Sequence, residues 1–306
     1  MTSADPELPS PHSHPRLAYL GTPALAVAPL DALVGAGHDV ALVVSAADKR
    51  RGRGSELSPS PVKARAMELG IEVTDDPDAL LSDQAGIDLA VVVAYGRLIR
   101  PHLLAAIPFV NLHVSLLPRW RGAAPIERAI LAGDPTTGVC VMAITEGLDE
   151  GGVYARSETP IGDKTVDELR HELVAEGSRL LLECLDTGFG VAAPQVGEVT
   201  YAAKLTADDR RLDWFQSATQ LARVIRIGGA FTTLRAKRLK VHRASVAETV
   251  APLEPGEVGN VDGLVLVGCG ADALVLESVQ VEGKASIDAP TWWRNAGLTA
   301  TDRLGS

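Results

Sequence analysis

Long apolar runs are missing from this sequence. No stretch approaches the roughly 20 apolar residues that a membrane-spanning helix needs, so the sequence favours a cytoplasmic protein with no membrane partner. Cysteine is also scarce: the chain has 3 cysteines in 306 residues, with neither a CxxC pair nor a Cys/His ligand spacing. This pattern excludes a disulfide framework and predicts reduced thiols.

Motifs of several enzyme classes are absent as well. The sequence contains no GxSxG elbow, no GxxxxGK[ST] phosphate loop and no HExxH zinc motif. The stretch GTPALA after the first predicted strand has one glycine where a dinucleotide fingerprint needs three. These absences disfavour serine hydrolases, P-loop nucleotide-binding proteins, zinc peptidases and NAD-dependent enzymes.

Charge is unevenly distributed along the chain. The net charge of −10 argues against a protein that coats nucleic acid with its whole surface. Residues 204–243, however, carry ten basic and three acidic residues, a net charge of +7, and the loop ADKRRGRG adds a second basic group. This asymmetry indicates a polyanion that meets one face, although charges spread over different sides of a domain would give the same count.

Hydrophobic periodicity predicts two domains. From Arg16, short β-rich runs alternate with helical patterns, which is typical of a parallel sheet flanked by helices, and IDLAVVVAY and FVNLHVS are its expected central strands. Later runs such as RLKVHRASV and LVLVGCG favour an all-β, barrel-like second domain. We therefore expect a flexible tail at 1–15, a catalytic domain at 16–186, a linker at 187–204 and a second domain at 205–306.

Polar side chains cluster in the stretch NLHVSLLPRWRGAAPI. Asn111 and His113 are two residues apart and share one face of a predicted strand, near the edge where α/β sheets bind ligands. The amide can donate to an oxyanion, the imidazole can donate or move a proton, and Asp149 in GLDEGG can orient the imidazole and take a proton. Taken singly, each residue also fits a purely structural role.

The run from Asn111 to Pro125 resembles the signature of the methionyl-tRNA formyltransferase family. Further similarities extend from about Arg16 to Asn295 and include GTP, GRG, SPSPVK, VVVAYG, GLDEG, YAAKL, LDW, VEGK and WWRN. Ala24 and Leu25 depart from the Asp and Phe that are usual in the family, and RIGGAFT (226–232) replaces its Pro-rich, Trp-containing turn.

The resemblance implies an α/β fold with a Rossmann-like parallel-sheet formyltransferase domain followed by an OB-like β-barrel. It implies that 10-formyltetrahydrofolate donates a formyl group to the amino group of initiator methionyl-tRNA, without a metal, and we expect a monomer. The expected site residues fall into three groups: catalytic Asn111, His113 and Asp149; donor-binding Tyr95, Gly96, Ser115, Leu116, Leu117 and Pro118; and tRNA-binding Lys49, Arg51, Arg53, Lys204, Arg238 and Lys240.

Two alternatives remain at this level. The same catalytic trio would serve a folate-dependent formyltransferase acting on an amino sugar or another small amine, or a related hydrolase, because a fold hosts many functions. The other alternative is an RNA-binding protein whose first domain is no longer catalytic. The arginine loop and the basic second domain favour a tRNA substrate over a small amine.

Overall fold

The structure is a computed structural model that describes residues 6–50, 57–247, 253–298 and 302–305. These residues form two compact units. The first comprises the chain up to Ile126, together with Pro135–Gly162 and Glu168–Ala203, and the second comprises Glu127–Asp134, Asp163–Asp167 and the chain from Lys204 onwards. Two short segments before residue 168 thus group with the second unit, which differs from the continuous catalytic domain that the sequence predicts.

Strands and helices alternate in the first unit. Its strands are β1 (Leu17–Gly21), β2 (Val40–Val44), β3 (Lys49–Arg50), β4 (Leu57–Ser58), β5 (Glu72–Thr74), β6 (Leu89–Val93), β7 (Phe109–His113), β8 (Arg121–Gly122), β9 (Thr136–Ala143), β10 (Val153–Pro160) and β11 (Tyr201–Ala202). The helices that begin before the end of this unit are α1 (Val27–Gly35), α2 (Pro61–Glu68), α3 (Pro101–Leu104), α4 (Pro125–Ala132) and α5 (Val166–Thr187). Helix α4 begins at the proline that the sequence indicated, since proline suits the first helical turn.

The main sheet has the strand order β10-β9-β7-β6-β1-β2-β5 in the described part of the chain. Strands β7, β6, β1, β2 and β5 are parallel, which confirms the expected Rossmann-like sheet. Strands β9 and β10 run antiparallel to their neighbours, so the sheet is not parallel throughout. Strands β9 and β10 are consecutive and joined by residues 144–152 as a hairpin, which makes this pair antiparallel.

Both faces of this sheet are buried. In β1, Leu17 and Tyr19 belong to one apolar cluster while Ala18 and Leu20 belong to another on the opposite face. Helices α1, α2 and α5 contribute to the first cluster and α3 to the second. Continuous apolar strands are expected under helices on both sides, because neither face meets water.

The segment before β1 is partly packed. Leu8 contacts the larger apolar cluster and Pro15 is buried. Pro11 lies so close to Gly188 that an added Cβ there would approach its ring to 2.7 Å. The described part of the expected flexible tail is therefore held against the first unit.

The second unit contains one antiparallel sheet with helices packed on it. Its strands are β12 (Phe231–Leu234), β13 (Lys237–Val246), β14 (Val258–Val261), β15 (Leu264–Gly268), β16 (Ala273–Val281) and β17 (Ile287–Asp288), and its further helices are α6 (Ala218–Arg226) and α7 (Ala289–Ala296). The sheet order is β12-β13-β16-β15-β14, with β17 paired to β16, and the sheet curls into a half-barrel. The barrel-like fold is confirmed, but the expectation of an all-β domain is wrong.

Helix α6 is the element that the strand-based prediction missed. Its buried residues Leu221, Val224 and Ile225 follow helical spacing, and Ser217 caps its N-terminus by accepting the Gln220 N–H at 3.2 Å. The RIGGAFT stretch is the end of this helix, a glycine turn and the start of β12. None of the helices in the described residues is long and apolar enough to cross a membrane.

Candidate active site

Strand β7 carries two of the predicted catalytic residues into the middle of the sheet. It lies between β6 and β9, with Asn111 opposite Met142 and His113 opposite Cys140 on β9. Asn111 and His113 share a face because they are two residues apart. His113 is the last residue of the strand and is buried, whereas Asn111 is half-buried. The carboxyl edge of the sheet thus holds both groups, as the sequence predicted.

The imidazole of His113 has an acceptor beside each ring nitrogen. Nε2 lies 3.0 Å from the main-chain oxygen of Trp120, and Nδ1 lies 3.6 Å from Oδ2 of Asp149. Because a carbonyl oxygen can only accept, we assign a hydrogen to Nε2, which donates to Trp120. In the neutral ring Nδ1 is then unprotonated and faces the carboxylate. His113 and Asp149 are brought together, as the sequence proposed.

Asp149 lies in the β9–β10 connection with an unusual backbone. Its φ of +51° is in the left-handed region, which a non-glycine residue adopts only when surrounding contacts hold it there. Oδ2 accepts the main-chain N–H of Gly122 at 2.8 Å. In the described part of the chain, Oδ1 has no hydrogen-bond partner. One carboxylate oxygen therefore fixes the side chain and the other remains available to accept a proton.

The side-chain amide of Asn111 forms no hydrogen bond with any residue that the structure describes. A half-buried amide of this kind can donate to a ligand oxygen without first breaking a hydrogen bond within the protein. Donors of this kind stabilise the charge that develops on oxygen during acyl transfer. Asn111 thus provides the site with a hydrogen-bond donor that no described residue occupies.

The loop after β7 is held by its own contacts. Ser115 is buried, and its hydroxyl donates to the Arg119 main-chain oxygen at 2.7 Å, while Leu117 packs with Cys140 and Met142. A Cβ at Gly138 would lie 2.5 Å from Leu116, so a glycine in β9 makes room for this loop. Burial raises the pKa of the Cys140 thiol beneath Leu117. Pro118 is also buried and completes the loop.

Tyr95 and Gly96 follow β6 at the same edge of the sheet. The Tyr95 ring is buried in the apolar cluster of the α3 face, and its hydroxyl has no partner among the described residues. Burial raises the pKa of Tyr95, with the charge of Arg97 acting in the opposite direction. The main-chain oxygen of Tyr95 accepts from the Thr22 hydroxyl at 3.3 Å.

Two residues near the site lie in a segment that the sequence presented as a linker. Gln195 bonds the main chain at Asp149 and Gly151, and the Thr200 hydroxyl accepts the Trp120 N–H. Nothing in a stretch rich in glycine, alanine and proline indicates such contacts. Only the return of the chain to the β7 edge brings them there. In the described residues no group of three or more His, Cys, Asp and Glu side chains is placed to hold a metal ion.

The predicted tRNA contacts are exposed where the structure describes them. Lys49 lies on β3, which pairs with β4, whereas Arg51 and Arg53 lie outside the described residues. In the second unit, Lys204, Arg238 and Lys240 are exposed. On β13, Arg238 and Lys240 alternate with buried Leu239 and Val241, so both cations project from the outer face of the half-barrel.

Part of the basic cluster is engaged within the second unit. Arg235 bonds Asp302 at 2.6 Å and Arg243 lies 3.5 Å from Glu277. Arg226 donates to the Lys164 oxygen at 2.9 Å. Arg238 stacks over the Phe231 ring, 3.7 Å from its centroid. The net positive charge of the cluster is thus divided between internal contacts and an exposed face centred on β13.

A buried histidine beside a carboxylate, and an amide without a partner among the described residues, thus lie on one strand and the following loops of a Rossmann-like sheet. The family model described as Formyl transferase matches residues 15–185, more than half of the chain. The model described as Formyl transferase, C-terminal domain matches residues 204–297. The class of protein is therefore a two-domain formyl transferase.

Relatives with named activities match along nearly their whole length. A methionyl-tRNA formyltransferase of Clavibacter sepedonicus is 44% identical over 303 residues, covering 94% of this chain and 98% of the relative. A methionyl-tRNA formyltransferase of Paenarthrobacter aurescens is 44% identical over 306 residues, covering 94% and 99%. The chain belongs to the methionyl-tRNA formyltransferase family.

Solved structures agree at the level of the fold. HypX from Aquifex aeolicus, solved in complex with tetrahydrofolic acid, matches with a TM-score of 0.63 at 21% identity and covers 93% of this chain and 47% of that protein. An N-formyltransferase from Helicobacter canadensis, in complex with folinic acid and dTDP-3-aminofucose, matches with a TM-score of 0.65 at 15% identity and covers 85% and 98%. At these identities the likeness supports the fold alone.

Proposed function

We propose that this protein transfers the formyl group of 10-formyltetrahydrofolate to the amino group of the methionyl moiety of initiator methionyl-tRNA, for use in translation initiation. The observation that carries the proposal is the His113–Asp149 pair beside the uncommitted amide of Asn111. It occurs in a chain 44% identical to a methionyl-tRNA formyltransferase over nearly the full length of both.

The reaction exchanges one nitrogen for another on the formyl carbon. The amino nitrogen of methionine forms a bond to that carbon, which becomes tetrahedral and places negative charge on its oxygen. Asn111 donates to this oxygen, and Oδ1 of Asp149 takes the proton that the amine loses. The bond from the carbon to N10 of the folate then breaks, and N10 takes up a proton. Formyl-methionyl-tRNA and tetrahydrofolate are the products.

His113 has a supporting role in this reaction. Its Nε2–H points at the Trp120 carbonyl, so it donates to the formyl oxygen only when the ring turns from that carbonyl to the substrate. Its unprotonated Nδ1 faces Asp149 at 3.6 Å, where it accepts a proton that the carboxylate has collected. The hydrogen bond from Nε2 to the Trp120 carbonyl keeps the ring in its present orientation.

The donor site is assigned to the loop Ser115, Leu116, Leu117 and Pro118 with the main chain at Tyr95 and Gly96. The residues present fit a folate donor: the loop is fixed by the Ser115 hydroxyl, and Asn111 keeps a free amide at the same sheet edge. When bound, the folate supplies the activated formyl carbon. The protein supplies a donor for its oxygen and a base for the attacking amine.

The assignment of the tRNA-binding residues is based on their charge. Lys49, Lys204, Arg238 and Lys240 are exposed cations in a chain of net charge −10, and Arg51 and Arg53 are assigned to the same role from the sequence. Local cations attract phosphates although the protein as a whole is acidic. We assign the protein to the cytoplasm, where it acts as a monomer with a catalytic domain at 16–186 and a tRNA-binding domain at 205–306.

A second candidate is formyl transfer to an amino sugar, since an N-formyltransferase solved with an aminosugar nucleotide has a similar fold. One assay separates the candidates. Purified protein is mixed with formyl-labelled 10-formyltetrahydrofolate and charged initiator tRNA, with uncharged tRNA as the control that lacks the amine and with dTDP-amino sugar as a competing acceptor. We expect label on methionyl-tRNA only. Label on the sugar in preference to the charged tRNA would contradict the proposal.

A further inference from the structure

The segment 193–202 is held to the rest of the first unit by hydrogen bonds rather than by apolar packing. Val196 is 84% exposed within it, and Val191, just before it, is 96% exposed. Ala193 forms a two-way bridge with Val153, with both N–H to O distances at 2.8 Å. A segment that buries so little apolar surface is kept in place by its polar contacts, and those contacts converge on the two loops of the candidate active site.

Gln195 is the contact to the loop that carries Asp149. Its Nε2 donates to the main-chain oxygens of Asp149 and Gly151, each at 2.8 Å. Its Oε1 accepts from the Arg121 guanidinium, with Nη2 at 2.7 Å and Nε at 3.1 Å, and Nη1 of Arg121 lies 3.3 Å from Glu150. The amide thus joins Asp149 and Gly151 of one loop to the buried Arg121. These bonds hold Asp149 at its positive φ.

Thr200 is the contact to the loop that faces His113. Its hydroxyl accepts the Trp120 N–H at 2.9 Å, and its main-chain oxygen accepts the Arg121 N–H at 2.9 Å. Trp120 is itself in the left-handed region, with φ of +64°, and its carbonyl accepts from Nε2 of His113. The Trp120 carbonyl shares a peptide plane with the Arg121 N–H, so the bond from that N–H to the Thr200 main-chain oxygen sets where the carbonyl points, while the Thr200 hydroxyl holds the preceding peptide. The carbonyl in turn sets which ring nitrogen of His113 carries the hydrogen.

We propose that Gln195 and Thr200 are positioning residues for formyl transfer: Gln195 holds the main chain of Asp149, and Thr200 holds the carbonyl that orients His113. The inference rests on the proposed function, since it concerns the same reaction. It adds that the segment between α5 and the second unit is part of the catalytic apparatus rather than a passive connection.

Four variants test the proposal. Gln195→Met removes the donors and the acceptor at similar length, and Gln195→Glu keeps an acceptor for Arg121 but cannot donate to Asp149 and Gly151. Both should lower kcat by about 10²-fold, the cost of a small displacement of a reacting group. Thr200→Val should also lower kcat, whereas Thr200→Ser keeps the hydroxyl and should retain activity.

The readouts separate positioning from folding. A loss of positioning lowers kcat and kcat/KM together, because the interaction acts in the transition state. Hydrogen exchange at the Gly122 amide, which bonds the Asp149 carboxylate, should become faster in Gln195→Met. Gln84→Met is the matched control, since Gln84 is exposed in the same unit, and it should leave kcat and exchange unchanged. Urea midpoints are measured for every variant.

In an active protein the proposal would be overturned by Gln195→Met with wild-type kcat and slow exchange at Gly122, or by Thr200→Ser as damaged as Thr200→Val. An effect confined to KM would also count against it. Formyl transfer absent from the wild-type protein would instead contradict the proposed function itself. The two failures are therefore distinguishable in the same assay.

Discussion

At the scale of single residues, the three predicted catalytic groups differ in how far the protein already engages them. His113 is buried with an acceptor beside each ring nitrogen, and Asp149 uses one carboxylate oxygen to bind Gly122. Of these three groups, within the described part of the chain, Asn111 alone keeps its polar side-chain atoms without a protein partner. Asn111 is consequently the group whose removal affects the reaction most directly and the fold least.

Asn111→Ala should lower kcat by about 10²–10³-fold, roughly 3–4 kcal/mol of transition-state stabilisation, because one donor to the oxyanion is removed. The free energy of unfolding should change little, since no described residue loses a hydrogen bond. Steady-state formylation of charged tRNA measures the first effect and urea denaturation the second. Asn260→Ala, at an exposed position of β14, serves as the control. Wild-type turnover in Asn111→Ala would remove Asn111 from the mechanism.

At the scale of elements, local signals predict most strands and helices, but not equally well. The apolar runs of β6 and β7 and the start of α4 at Pro125 are predictable because their patterns are strong and short. Helix α6 is not predicted in the same way although Ser217, Leu221 and Ile225 provide a cap and helical spacing, because the pattern extends over only 9 residues. The cap is also what makes this helix sensitive to a single change.

Ser217→Ala should destabilise the second unit by about 1 kcal/mol, because the Gln220 N–H at the start of α6 loses its acceptor. Ser217→Thr keeps an oxygen at the cap and should stay close to the wild type. Unfolding in urea, followed by tryptophan fluorescence, measures the difference, since Trp214, Trp292 and Trp293 all lie in this unit. Equal midpoints for Ser217→Ala and the wild type would show that the cap does not stabilise α6.

At the scale of the whole molecule, charge has two separate effects. Some cations stabilise the fold through ion pairs, as Arg128 does with Asp209 at 2.6 Å, and others remain exposed on β13. The net charge of −10 does not distinguish these two groups of cations. Stability should therefore respond to pH through the paired groups, and tRNA binding should respond to salt through the exposed ones.

The Arg128–Asp209 pair makes stability depend on pH. Hydrogen bonds from the Arg128 side chain hold the pKa of Asp209 below its usual value. A lowered folded-state pKa stabilises the protein above the unfolded-state pKa of about 4, and this stabilisation disappears as the pH falls through the folded-state value. Asp209→Asn should therefore cost about 1 kcal/mol at pH 7 and progressively less below pH 4. Urea titrations across that range test this, and a pH-independent difference would contradict it.

Removing exposed cations should change how salt affects tRNA binding. Arg238→Ala and Lys240→Ala should each weaken binding, and each should reduce the slope of log affinity against log salt by about 1 if the side chain neutralises one phosphate. Arg179→Ala is the matched control, because Arg179 is exposed on α5 and pairs with Glu176 and Glu183. Filter binding over a range of salt measures the slopes. Unchanged slopes in the β13 variants would remove this face from the tRNA site.

The fold class, the two-domain order and the place of Asn111, His113 and Asp149 are predictable from the sequence. Each of these follows from local patterns, since side chains two apart share a strand face and polar residues gather where parallel strands end. The structure alone decided that β9 and β10 are antiparallel, that short segments before residue 168 group with the second unit, and that Gln195 and Thr200 reach the site. The hydrogen bonds of Gln195 and Thr200 join residues 46 and 80 positions apart, and bonds over such separations leave no periodic trace in the chain.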